Sequence, residues 1–413
     1  MTESIAPHVL SLGADPLRAP ELFRSLANDW LIWDPYVAGA RRVDLHPLML
    51  PRALHASAVA ASESVVRIIE ATAARAFDDG EESARYLIHP SIEALARASH
   101  SADDDASLVR VDLLFGTDGK WHACEVNADC PGGHNESMAL PRLARAAGVA
   151  SGHAFGENPT DLVEALATRL ADLGGGRDVG IIFATAYAED LQVCALLRRA
   201  LATRGVVAHL APPTAPRFDG EALTIWGQEI SVLYRYFPME YMEGQKNLPQ
   251  IEAAVACGAV KTLSSFAQLF AQSKLSFARA CALFDCGGTA IAETYAAHTI
   301  AAEELIRDRA RWVLKRAFGR VGDEVLVGAL SSDEDWGALV TDVTRDLRAG
   351  ASWVAQRFVD QAPLETPWGP RYVTLGAYVL DGTFRGYFAR ITPDSHASHD
   401  ALVVPVFVEG PAR

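Results

Sequence analysis

Four side chains in one short stretch have the types and spacing for metal-assisted phosphoryl chemistry. In segment 108–129, Arg110, Asp112, Glu125 and Asn127 flank Asp118-Gly119, a strong two-residue hairpin turn signal, within an alternating apolar and polar pattern. With Asp118 and Gly119 as the loop, Asp112 lies opposite Glu125 and Arg110 opposite Asn127, and all four project from one face. Val111, Leu113, Cys124 and Val126 then form the apolar reverse face. Two carboxylates opposed across a hairpin stand roughly 5 Å apart at Cβ and repel, so something must compensate them. A divalent cation would do so, and neutralising either acid would leave metal-free stability unchanged or raise it. Oxygen ligation by two carboxylates and an amide suits Mg²⁺, which completes its shell with phosphate oxygens and water. Arg110 beside such an ion could hold a phosphoryl or carboxylate oxygen through paired hydrogen bonds. A solvated hairpin face crossed by an arginine salt bridge accounts for the same four residues.

The segment after the hairpin shifts the balance towards a site. Residues 128–136 read ADCPGGHNE, dense in turn formers and polar groups where a strand ends, the usual location of a binding loop. Gly132 and Gly133 are therefore candidates for substrate contact. Cys130 and His134 in the same loop invite a nucleophile pair, but no third group orients the histidine and nothing visible activates the thiol.

Arg110-x-Asp112 and Glu125-x-Asn127, followed by the Asp-x-Pro-Gly-Gly loop, resemble the metal-binding core of the circularly permuted ATP-grasp ligases, the group that includes glutathionylspermidine synthetase. The resemblance runs from about residue 105 to 413. It implies that Asp112, Glu125 and Asn127 hold Mg²⁺ and that Arg110 contacts the reacting phosphoryl region. The order of parts is the permuted one, with the metal-binding segment ahead of an α/β lobe and two lysine segments behind it. Ser273-Lys274-Leu275, after Ser264-Ser265-Phe266, resembles the first lysine segment; Trp312-Val313-Leu314-Lys315, before Phe318-Gly319-Arg320-Val321-Gly322, resembles the second. The resemblance thus implies that Lys274 and Lys315 hold ATP phosphates, with Gly319 and Gly322 in a mobile lid. A lysine leaving an apolar strand beside a two-glycine loop does offer phosphates a point charge and close backbone approach. Strand lysines are also commonly solvated edge residues. Gln356, Arg357, Phe358 and Val359 resemble the hinge strand whose backbone reads adenine, and Arg390, after the hairpin at Asp381-Gly382, is similar to a family position near the reacting groups. Arg235, in Leu233-Tyr234-Arg235-Tyr236, is a candidate for a substrate carboxylate and equally for a structural salt bridge. The chain departs from glutathionylspermidine synthetase in its helical N-terminus and shows no amidase signature.

Positioning these residues requires a framework, and hydrophobic periodicity supplies one. Residues 1–105 form a helical N-terminal region, with Ala-rich amphipathic stretches at 53–77 and 91–98. Residues 106–175 form the metal-binding part, with a helix through 139–147 and the triple glycine 174–176 as a linker. Residues 176–260 form a small parallel α/β lobe: strand 179–184, helix 190–203 ending at Gly205, strand 206–210. Residues 261–413 form the nucleotide-binding lobe with lid and hinge, helical to about residue 309, then strands 312–316 and 324–327, a helix near 333–347, and strands 354–359, 372–380 and 383–391. The fold class is α/β and α+β, a circularly permuted ATP-grasp fold.

Composition excludes several classes. A chain of 413 residues, half of them hydrophobic, can bury a large core in two or three lobes. A formal charge of -15 without a Lys or Arg run argues against nucleic acid. The six cysteines form no CxxC or zinc spacing, and no signal-peptide pattern or long apolar stretch occurs, which points to the cytoplasm and away from membranes. No Walker loop is present. The expected function is an ATP- and Mg²⁺-dependent ligase that joins a small-molecule or peptide carboxylate to an amine through an acyl phosphate, releasing ADP and phosphate. A small-molecule kinase on the same site and a catalytically silent binding domain are the alternatives.

Overall fold

The computed structural model describes residues 6–13, 15–37, 39–150, 152–153, 155–319, 325–395 and 401–410. Its largest sheet is antiparallel, with strands in the order Leu402–Val404, Thr383–Thr392, Tyr372–Leu380, Leu108–Phe115 and Trp121–Asn127. Alternation decides what each face does. Val109, Val111 and Leu113, with Val373, Leu375 and Ala377 on the neighbouring strand, meet Val65, Val66, Ile69 and Ala73 of the helix Arg52–Asp78 in one hydrophobic cluster. Arg110, Asp112 and Thr374, on the opposite face, line a cavity. Removing the helix-facing side chains from water, at roughly 25 cal/mol per Å² of apolar surface, anchors the sheet and so fixes the polar face.

A second sheet is parallel, in the order Lys261–Leu263, Val232–Tyr236, Val179–Phe183 and Ala208–Ala211, with the helix Ala188–Ala202 crossing between the last two. The strand–helix–strand pattern expected here is present. Val179–Phe183 is buried along its whole length, as a central parallel strand covered on both faces must be. Two stretches differ from the sequence reading. Lys261–Leu263 and Thr294–Ala296 fall within the part read as helical, yet each is a strand paired to a longer neighbour. Three residues are too few to show a period, and the pairing partner decides their state. The glycines 174–176 are a helix cap, not a linker. Gly174 ends the helix Leu162–Gly174, which the sequence reading did not anticipate, and Gly175 takes the left-handed conformation at φ 59°. A Cβ on Gly174 would stand 2.7 Å from Ser231 Oγ, so this position also needs close approach.

The third sheet orders Thr294–Ala296, Trp353–Arg357, Trp312–Arg316 and Val325–Val327, all antiparallel. The helix Asp333–Arg348 backs it through Trp336, Val340 and Val343, packed with Trp312, Leu314 and Ala355. The N-terminal region carries the helices Pro20–Asn28, Arg52–Asp78, Gly80–Ala84 and Pro90–Ser101. Its strand Leu48–Leu50 pairs in parallel with Val406–Val408, tying an early segment to a late one. Among the described residues no helix is long and apolar enough to cross a membrane.

Candidate active site

The hairpin reaches the expected pairing, Arg110 with Asn127 and Asp112 with Glu125, by a different route. Its loop has three residues, Thr117, Asp118 and Gly119, closed by hydrogen bonds from Gly116 N–H to Lys120 O and from Gly119 N–H to Gly116 O, each 2.9 Å. This sets Phe115 opposite Trp121, one residue out of the register that a two-residue loop would give. An irregularity between Asp112 and Leu113 then leaves Cys124 without a ladder partner and restores the register at the acids. Cys124 is consequently not on the reverse face with Val111, Leu113 and Val126. It lines the cavity, with its thiol donating to Asp112 O at 3.4 Å. Burial pushes that thiol up to about 11, so it is not a nucleophile at neutral pH.

Positive side chains of the protein itself answer the repulsion between the two acids. Asp112, 3 % exposed, accepts from Arg110 Nε at 2.7 Å and Nη2 at 3.0 Å, and from Arg390 Nη2 at 2.6 Å. Lys274 Nζ stands 3.2 Å from Glu125 Oε1. Burial alone would raise the Asp112 carboxyl, but the charges of Arg110 and Arg390 hold it below the usual carboxylate range. Space for this cluster comes from glycines. Gly376 is paired with Asp112, and a Cβ there would lie 2.7 Å from Arg110 Cδ. Gly132 O accepts from Arg110 Nη1 at 3.0 Å and from the Tyr378 hydroxyl at 2.5 Å. Gly133, at φ 91°, lies so close to the Phe388 ring that a Cβ would come within 2.5 Å. That ring in turn faces the guanidinium groups of Arg110 and Arg390, at 5.4 and 5.9 Å.

The cavity, of about 410 Å³, lies where the hairpin faces the third sheet. Arg110, Asp112, Glu125, Asn127, Gly132, Gly133, Lys315, Gln356, Arg357, Phe358, Val359 and Arg390, all singled out from the sequence, line it. Lys315 Nζ donates to Cys124 O and to Gln356 Oε1, both at 2.8 Å, which bridges the two sheets. Gln356 is held from behind by its Nε2 donating to Thr294 Oγ1 at 2.9 Å. Lys274 and Gly319 are not lining residues; Lys274 Nζ donates to Gly319 O at 2.6 Å. Gly322 lies outside the described residues. Arg235 is 1 % exposed and is engaged by Asp129, by Phe237 O at 2.9 Å and by Ser264 O at 3.3 Å, so it braces the loop behind the cavity. Burial and the charge of Arg110 push His134 down to about 3, which keeps its ring neutral.

Of the remaining lining residues, Glu136 lies in the loop singled out from the sequence, whereas Arg42, Glu189 and Asp190 went unnoticed there. Arg42, Glu136, Glu189 and Asp190 share another part of the wall. Arg42 Nη2 bonds Glu136 Oε1 at 2.8 Å and Asp34 Oδ1 at 3.1 Å. Burial pushes the Asp190 carboxyl up to about 6. These residues come from three distant segments, and no local spacing announces them. As for a metal, no cluster of three or more His, Cys, Asp or Glu side chains able to hold one occurs among the described residues. Asp112, Glu125 and Asn127 bring two carboxylates and an amide to the cavity, and both Asp112 oxygens accept from arginines.

Among solved structures, the fold is similar to that of a glutathione synthetase-like effector from Globodera pallida in apo form, with TM-score 0.61 and 12 % identity over 97 % of this chain and 99 % of that one. No curated protein matches the chain in sequence. The Glutathionylspermidine synthase preATP-grasp family matches residues 52–409. Sheet-borne acids, the strand pair carrying Lys315 and Gln356, and that match over most of the length agree: the fold is of the ATP-grasp type, and the chain belongs to the glutathionylspermidine synthase preATP-grasp family.

Proposed function

We propose that the protein is an ATP-dependent carboxylate–amine ligase that forms an amide bond through an acyl phosphate and releases ADP and phosphate. One observation carries the reading: the paired Asp112 and Glu125 face Lys315 and the strand Trp353–Arg357 across a single cavity, with two arginines converging on Asp112. ATP would lie with its adenine along Gln356, Arg357, Phe358 and Val359 and its phosphates at Lys315, with Lys274 moving in from Glu125 and Gly319 and Gly322 as the lid. Asp112, Glu125 and Asn127 would hold Mg²⁺, which offsets phosphate charge when bound. Arg110 and Arg390, which converge on Asp112 at the cavity wall, stabilise charge on the phosphoryl group as it moves to the acid. Gly132 and Gly133 carry the backbone that meets the acid, and Arg235 fixes that loop from behind. Glu136, Glu189 and Asp190 give the amine a negatively charged seat, from which it attacks the acyl carbon and expels phosphate. On this reading residues 1–105 are a helical region, 106–175 the metal-binding part, 176–260 a pre-ATP-grasp-like lobe and 261–413 the nucleotide lobe, working in the cytoplasm.

The test is ADP and phosphate release with pooled amino acids, peptides and amines. Release that needs both an acid and an amine, and that Lys315→Met suppresses about ten-fold or more through weaker ATP binding, is the expected result. ADP formation without inorganic phosphate would mark a kinase and overturn the ligase reading.

A further inference from the structure

Two of the six cysteines meet away from the cavity. Cys281 lies near the end of the helix Leu275–Leu283, and Cys286 lies in the turn that follows it. Both pack against the same hydrophobic cluster, and the Cys286 thiol donates a hydrogen bond to the Cys281 sulfur. Both are free and partly exposed, and residues 282–285 between them are all exposed, so a small oxidant reaches the pair from solvent. The backbone holds the two sulfurs in place. On the helix side, Phe284 N–H donates to Ala280 O at 2.9 Å, and the Thr294 backbone donates to the Cys281 sulfur. On the turn side, Cys286 O accepts from Thr289 N–H at 3.1 Å and from the Thr289 hydroxyl at 2.8 Å, while Asp285 Oδ1 accepts from Gly287 N–H at 2.9 Å. Two groups held against each other in this way lose little further freedom when a bond forms between them.

Hydrogen bonding divides the roles of the two thiols. Burial, with the charges of Cys281 and Asp285 behind it, pushes Cys286 up to about 12, so it keeps its proton. Burial and Glu293 also raise Cys281, but the donors from Thr294 and Cys286 offset part of that rise. Cys281 is therefore the sulfur that ionises first, and only as the pH climbs. We infer that Cys281 and Cys286 form a dithiol–disulfide site, oxidised by a small-molecule disulfide and restored by a small thiol. The Cys281 thiolate attacks one sulfur of the oxidant, whose S–S bond breaks, and the first half leaves as a thiol with the proton that Cys281 gave up. Cys286 then loses its proton and attacks Cys281 in the mixed disulfide, expelling the second half as a thiol. Two cysteine thiols are oxidised to one disulfide while the small disulfide is reduced to two thiols. The new bond staples the turn to the helix. Just beyond that turn the chain runs beside the hairpin strand Trp121–Asn127, where Ala290 O accepts from Ala123 N–H at 2.6 Å and Ala292 N–H donates to Ala123 O at 3.1 Å. Oxidation therefore firms the contact between the turn and the strand that carries Glu125.

The test uses the full chain with Cys257→Ser, which removes an exposed thiol, incubated with 2-hydroxyethyl disulfide in mildly alkaline buffer and digested without reduction. The expected product is a peptide pair linked through Cys281 and Cys286, in a protein lighter by two hydrogens and carrying no mercaptoethanol group at either position. Adding Cys286→Ser should stop the reaction at a mercaptoethanol group on Cys281, and adding Cys281→Ser should slow reaction at Cys286 about ten-fold or more. Hydrogen exchange at the Ala123 amide should slow about ten-fold in the oxidised protein and recover with dithiothreitol. Persistence of both thiols, a link from either to another cysteine, a lasting mercaptoethanol group on Cys281 with Cys286 present, or exchange at Ala123 unchanged by oxidation would each overturn the assignment. None of these outcomes bears on the ligase reading, which uses neither cysteine.

Discussion

Asp112 is where the electrostatics of the cavity concentrate. Three charge-assisted bonds from two arginines reach one carboxylate that is 3 % exposed. The sequence-based expectation that neutralising it would leave stability equal or higher is therefore reversed, because Arg110, 8 % exposed, would lose its counter-charge. Breaking a buried pair by removing one member costs about 3 kcal/mol. The pH dependence follows from the direction of the shift. A carboxyl held below its ordinary 3.8 contributes stability that is present above that value and is lost as the pH falls through the lower folded one. Thermal melts of Asp112→Asn should thus lie well below wild type at pH 7, with the gap closing in strongly acidic buffer. Equal melting temperatures at neutral pH would mean that the arginines find other partners. Glu125, with a 21 % exposed side chain and a single lysine beside it, is a gentler case, and there the relief of repulsion still applies.

At the scale of elements, the strand Tyr372–Leu380 shows how a site is accommodated. Glycine inside a strand weakens it unless something must come close, and Gly376 lies where Arg110 crosses. Gly376→Ala should keep the fold at a cost of about 1–3 kcal/mol from overpacking. It should lower kcat/KM more than it lowers ATP affinity, since the displaced group is the arginine on Asp112 and not Lys315. Steady-state kinetics beside ATP calorimetry separates the two; equal losses in both would assign Gly376 a merely structural part. The same region shows what a sequence can disclose. Alternation over segment 108–127 revealed that Arg110, Asp112, Glu125 and Asn127 share the polar face, but it put Cys124 on the wrong side. The three-residue loop and the irregularity at Cys124 were invisible, and they cancel: one shifts the register by a residue and the other shifts it back. Lys261–Leu263 and Thr294–Ala296 escaped for a related reason, being strands only because longer partners pair with them.

At the scale of the whole molecule, the cavity joins segments that stand far apart in the chain. Arg42, Asp112, Glu136, Asp190, Lys315, Gln356 and Arg390 line it together. The residues with family spacing and the loop that ends at Glu136 were legible singly, whereas Arg42 and Asp190 became visible as part of the site only once the fold brought them to the cavity wall. That juxtaposition bears on reaction type, because it places positive groups and an acidic wall around one space without a Walker loop. Attack by a carboxylate on the γ-phosphate leaves the bridging oxygen of the acyl phosphate derived from the acid. When the amine then takes the acyl carbon, that oxygen departs with phosphorus. Carboxylate labelled with ¹⁸O should therefore deliver its label to the released inorganic phosphate, with ADP as the nucleotide product. Attack on the α-phosphate would instead place the label in AMP and release pyrophosphate, since a different leaving group would need stabilising. Label recovered in AMP, or phosphate carrying none, would exclude the acyl-phosphate route while leaving the ATP-grasp framework as it stands.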